Sequence, residues 1–178
     1  MLSELIESVD IARNNFISFC SGLTKQQQIF RPSENVWSIT DNAEHLVWAE
    51  WGGVSGMWKA LDGLQRNQPV WSGEPVHQGL KIEEIISKTW QAREKVPASA
   101  APHWGGNISF WLSALANCQQ SLYALQKDLE GYDPELVIYA HPISGPLNVL
   151  QRMEFLRFHI ERHQKQVEDL KAHPLYPR

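Results

Sequence analysis

Apolar side chains recur at intervals of three and four residues in several separate stretches, with almost no alternating run between them. That pattern restricts this chain to helices packed side by side. The clearest stretch is Trp111, Leu115, Cys118, Leu122, Leu125 and Leu129, whose alternating spacings of four and three draw a single seam along a helix. It starts at Asn107, and Gly131 is placed to end it. Residues 2–20 carry a second stripe, Leu5, Val9, Ala12 and Phe16, widened by Leu2, Ile6 and Ile17, with Ser3 available as a cap. Ser38 and Asp41 form the acidic version of a capping box at the head of a helix running to about Gly63. The segment IEEIISKTWQARE, 82–94, reads as a shorter helix that stops before Pro97, and Pro146 suits the first turn of a last helix reaching about Lys171. Only ELVIY, 135–139, looks like a strand. The expected class is all-α: a four-helix bundle with one additional short helix, forming one domain over 1–178. The long links leave room for a crossover in place of a strict antiparallel meander.

Charge and composition narrow the partners. The 16 basic and 20 acidic residues give a net charge of −4, and no segment gathers the bases into a stripe that could neutralise phosphates, so nucleic acid is not expected. The start, MLSELIESVD, carries acids where a signal peptide carries bases, and no apolar run approaches the roughly 20 residues of a membrane span. A cytoplasmic protein without a membrane partner is expected. Cys20 and Cys118 are too few for a disulfide framework and read as small buried hydrophobes. Eight tryptophans serve either as core or as pocket wall, and Trp48, Trp51, Trp58 and Trp111 are read as core filler.

The candidate chemistry lies in histidines. His159 and His163 stand four apart in the last helix, which places them about 40° and about 6 Å from one another. Phe155, Leu156, Val167 and Leu170 share their face, whereas Arg157, Glu161, Gln164 and Glu168 lie opposite, so both imidazoles point inward. A buried imidazole without a partner costs about 1–3 kcal/mol. The pair is therefore either two core histidines bonded to backbone carbonyls or two ligands of a shared cation. His45 is the candidate third ligand, because it lies over the small residues Ala49, Gly52 and Gly56, with Asp41 one turn earlier as a potential acceptor for its other N–H. Arg152 projects on the same face as the last-helix pair, about 10 Å before His159 along the axis. It is either a carboxylate clamp or a long side chain snorkelling to the bundle end. Gln166 shares the face in the other direction. Glu44 and Glu50 project away from His45, which argues against either as a general base. His141 sits in a turn, His77 and His103 in loops, and His173 in the C-terminal tail.

The pair of segments WSITDNAEHL and HPISGPLNVLQRMEFLRFHIERHQKQ resembles the DinB/YfiT-like superfamily of metal-binding helical bundles. Its recurring features are a Trp-Ser start to the second helix, a histidine about seven residues on and an H-x3-H pair in the final helix. The resemblance implies that His45, His159 and His163 form one divalent-metal site, with zinc preferred and nickel, iron or manganese acceptable. It implies that His141 fixes the lead-in to the last helix and that a homodimer forms through helix faces, whereas residues 77–106, which wall the pocket, depart from the family's shortest members. Three imidazoles leave coordination positions open, as in catalytic sites. The resemblance suggests activation of a low-molecular-weight thiol such as bacillithiol or mycothiol for transfer, or of water for hydrolysis, on a small-molecule substrate. The competing expectations are a stress-response protein that retains a small ligand by way of its metal, and a structural bundle with an adventitious ion.

Overall fold

The structure, a computed structural model, describes residues 1–74, 76–91 and 95–178. Four long helices build the bundle: α1 (Leu2–Cys20), α3 (Ile39–Gln65), α5 (Ile108–Asp128) and α6 (Val149–Lys171). Both α1 and α3 pack against α5 and α6. Helices that follow one another among these four, α1 and α3 or α5 and α6, therefore sit across a diagonal, and the crossover that the long links permit is used. The seam read on α5 is buried, from Trp111 to Leu129, against Val9, Phe16, Leu46 and Met57 of its neighbours.

The capping box at Ser38 forms as the sequence implies. The Asp41 N–H donates to Ser38 Oγ and the Ser38 N–H donates to Asp41 Oδ2, closing the orphan donors at the start of α3. Asp41 also pairs with Arg31, so it is occupied by the cap and does not orient His45. Ser3 caps nothing: α1 begins at Leu2 with Met1 as its N-cap. The link after α1 holds one helical turn, α2 (Lys25–Ile29), closed by a Thr24–Gln27 capping box that the reading of a polar link passed over.

The expected short helix is α4 (Ile82–Thr89), which ends at Trp90; the remainder of its expected length, 92–94, lies outside the described residues. Pro146 is not in a helical turn. It lies in β2 (Gly145–Asn148), which pairs antiparallel with β1 (Ile138–His141) in a small hairpin. Proline tolerates this place because a two-stranded ribbon leaves it a ladder position without a donor. Gly145, at φ +75°, takes the left-handed conformation that closes the three-residue loop. α6 then starts one residue after Asn148, whose side chain accepts the Gln151 N–H. The hairpin packs on α3, where Gly56 has no side chain to block the Tyr139 ring. Among the described residues no helix is long and apolar enough to cross a membrane.

Candidate metal centre

His45 lies in the second turn of α3, and His159 and His163 lie in α6; the packing of those two helices brings them together. All three are buried, at 4%, 7% and 4% exposure. His159 Nε2 is 3.2 Å from His45 Nε2 and 3.2 Å from His163 Nε2, and the three ligand atoms lie within 4.8 Å of one another. A tetrahedral ion with Zn–N bonds of about 2.05 Å sets its ligand nitrogens about 3.3 Å apart. The donor set and the two 3.2 Å spacings fit such an ion.

Neighbouring groups fix which ring nitrogen faces inward. His45 Nδ1–H donates to the Ala100 carbonyl at 2.7 Å, and His163 Nδ1–H donates to Asn42 Oδ1 at 2.7 Å. The Asn42 amide is itself oriented, since its Nδ2 donates to the Ser38 carbonyl. Both rings therefore present an Nε2 lone pair to the common centre. Burial lowers the pKa of all three imidazoles, opposed at His45 by its bond to Ala100. At His159 and His163 the neighbouring imidazoles reinforce the effect and push the value well below the usual one. Neutral rings with converging lone pairs repel unless a proton or a cation lies between them. Trp37 stacks on His163 at 15° and 6.1 Å, and Phe155 stacks on His159 at 19° and 5.3 Å.

The centre opens on a cavity of about 1230 Å³. One wall, 96–100, supplies the Ala100 carbonyl, and Glu44 anchors the backbone that follows it at 103–105. The Glu44 carboxylate projects away from His45, as its helical position implies, and accepts the backbone N–H groups of His103 and Trp104 at Oε1 and of Gly105 at Oε2, at 2.7–2.8 Å. The Trp48 indole adds a fourth donor at 3.2 Å. Burial alone would raise this carboxyl, but the backbone donors outweigh it and hold the pKa below the ordinary value. Glu50 also points elsewhere, into a buried pair with Arg13.

The remaining residues singled out by the sequence distribute as follows. Arg152 does not snorkel to the bundle end: it is 5% exposed and lines the cavity, and its Nε and Nη1 have no hydrogen-bond partner among the described residues. Gln166 lines the cavity as well. His141 holds its turn, with Nδ1 accepting the Ile143 and Ser144 N–H groups, and its ring also reaches the cavity wall. His77 bonds to the Ser144 carbonyl, outside the centre. His103 and His173 contribute ring contacts to Trp48 and Phe30. Of the four tryptophans read as core, Trp111 is core, Trp58 is tied to Asp128, Trp48 lines the cavity, and Trp51 is exposed. Sequence reasoning missed Asn42 and the Ala100 carbonyl. Asn42, three residues before His45, carries the one available signal, as a polar residue on an otherwise apolar helical face.

No curated protein matches this sequence at a significant level. The model of the DinB superfamily matches residues 8–167, most of the chain and all three converging histidines, and the protein accordingly belongs to the DinB superfamily.

Proposed function

We propose that His45, His159 and His163 bind one divalent metal ion, zinc ahead of nickel, iron or manganese, and that the protein is a metal-dependent enzyme. Thiol transfer is the favoured reaction, ahead of hydrolysis. The observation that carries this reading is the convergence of three neutral Nε2 atoms on a cavity of about 1230 Å³. Small-molecule pockets commonly measure about 300–1,000 Å³, so this one has room for a thiol and an electrophile together. The protein offers no thiol of its own for such chemistry. Cys20 and Cys118 are buried at 0% and 1% exposure, and burial pushes both thiols up to about 12. The nucleophile must therefore come from solution.

When bound, the ion supplies Lewis acidity that lowers the pKa of a water or thiol at an open position. The chain's own residues prepare that position. Ala100 and Asn42 hold two of the rings with Nε2 inward. Trp37 and Phe155 cover ring faces and exclude water from the ligands. Asp169 is the one carboxylate among the described lining residues, and it is paired with Lys165. That no carboxylate base stands beside the imidazoles among the described residues favours a second reading, retention of a small ligand without chemistry.

Turnover separates the two. Zinc-reconstituted protein, given a low-molecular-weight thiol and the chromogenic electrophile 1-chloro-2,4-dinitrobenzene, is expected to form thioether only with both metal and thiol present, and His159→Ala is expected to abolish it. Equal activity in metal-free protein contradicts the enzymatic reading. Thermal stabilisation by a thiol without product supports retention.

A further inference from the structure

An acidic chain lines its cavity with a buried cation, Arg152, two of whose nitrogens meet no acceptor among the described residues. Arg152 leaves α6 seven residues before His159, and its guanidinium lies 5.4 Å from the Phe155 ring, which in turn lies 5.3 Å from the His159 ring. It is 5% exposed, and neither Nε nor Nη1 has an acceptor among the described residues. Arg31, Arg66 and Arg157, by contrast, each have a carboxylate partner. Burial drags the Arg152 pKa down to about 10, which leaves the group charged at neutral pH. The Phe155 face offsets part of the desolvation by a cation–π contact but accepts no N–H bond.

The surroundings are shaped around the guanidinium. Gly53 of α3 faces it, and a Cβ there would stand 3.1 Å from Nη2. His141, on the hairpin, receives two backbone N–H groups at Nδ1, so its ring proton is on Nε2. That N–H is a second donor on the cavity wall. Arg162, over the Trp90 ring at 5.7 Å, adds positive charge to the lining, whereas Asp169 is neutralised by Lys165.

We propose that Arg152, with His141 Nε2–H beside it, is the binding site for a carboxylate on the small molecule that enters this cavity, seating that molecule with its other end toward the three histidines. The metal-centre reading supplies the meaning of that orientation, but the anion site is independent of the metal and is tested without it. A carboxylate is preferred to a phosphate because one buried guanidinium matches a monoanion in charge, and its fork matches the two oxygens.

The experiment titrates chelator-treated, metal-free protein with benzoate, benzamide and inorganic phosphate, reading heat and tryptophan fluorescence. Benzoate is expected to bind at least about 30-fold more tightly than benzamide, with phosphate weaker than benzoate. Arg152→Met should remove benzoate binding, Arg152→Lys should keep a weakened form of it, and Arg157→Met, at an arginine outside the cavity lining, should leave it intact. Arg152→Met should also melt no lower than the wild type, because it replaces a buried unpaired cation with an apolar chain. A merely structural arginine would instead lower the melting temperature. If Arg152→Met does not fold, Gly53→Ala, which crowds Nη2, reads the same site through a reduced benzoate affinity. Equal affinity for benzoate and benzamide, phosphate binding tighter than benzoate, or benzoate binding kept in Arg152→Met would each overturn the proposal. Failure of the metal reading would show only in metal content and would leave the benzoate result standing.

Discussion

Replacing Glu44 with glutamine changes one oxygen to an amide and tests how the cavity wall is held. In the wild type, Oε1 serves His103, Trp104 and the Trp48 indole, and Oε2 serves Gly105 alone. Gly105 and Gly106 adopt φ of +63° and +89°, which lets successive N–H groups turn inward as an anion-binding nest. Glutamine can keep its oxygen toward the first three donors, but its NH₂ then faces the Gly105 N–H. One bond to a charged acceptor is lost, worth about 1.5–3 kcal/mol, the others lose their charge assistance, and a donor is left facing a donor. The expected loss of stability is about 3 kcal/mol, a large share of the roughly 5–15 kcal/mol of a typical domain. It should appear as a lower urea midpoint with little change in slope, measured on metal-free protein so that no ion obscures it. The same change loosens the stretch that carries Ala100, the acceptor for His45 Nδ1. Zinc affinity, read by competition with a chromogenic chelator, is therefore expected to fall about 10-fold or more. A stability loss under about 0.5 kcal/mol would refute the reasoning, because it would mean that the buried carboxylate and its backbone donors contribute little net free energy.

Asn42→Ala removes the acceptor for His163 Nδ1 and should weaken zinc binding about 10–100-fold in the same chelator competition, with His45→Ala as the reference for a lost ligand. Gly56→Ala places a methyl into the Tyr139 ring and should cost about 1–3 kcal/mol in urea unfolding through overpacking. The metal-free protein should lose stability between pH 7.5 and pH 5. The folded state depresses the pKa of His45, His141, His159 and His163 below 6.5, His141 to about 3, so their contribution is complete above pH 6.5 and declines as the unfolded chain gains protons below it. His141 alone accounts for about 1–2 kcal/mol at pH 5. A melting temperature independent of pH over that interval would contradict the buried, neutral assignment.

The bundle was legible because its signals are local. The three- and four-residue spacing on α5, the Ser38–Asp41 box and the inward face of His159 and His163 each depend on residues within a few turns of one another, and the structure places them as read. His45 was legible only in part. Its small neighbours marked a close approach, but its orienting partner is a carbonyl 55 residues away, and no side-chain pattern announces a carbonyl. Helical projection suggested Asp41 for that role, and the N-cap with Arg31 claimed the carboxylate first. Pro146 was misplaced for a related reason: its φ suits a helix start and an edge strand equally, and pairing with Ala140 decided between them. The fate of Arg152 depended on Gly53, nearly one hundred residues earlier, leaving space for a guanidinium, a relation that composition cannot carry. Two glycines of α3 make room for side chains from other elements, Gly53 for Arg152 and Gly56 for Tyr139.

The central claim is that the three imidazoles serve one ion, and metal analysis of protein purified without a histidine tag tests it most directly. The wild type is expected to carry about one divalent ion per chain after zinc reconstitution and desalting, and His45→Ala and His163→Ala are expected to retain little. Equal occupancy in all three proteins would contradict the account.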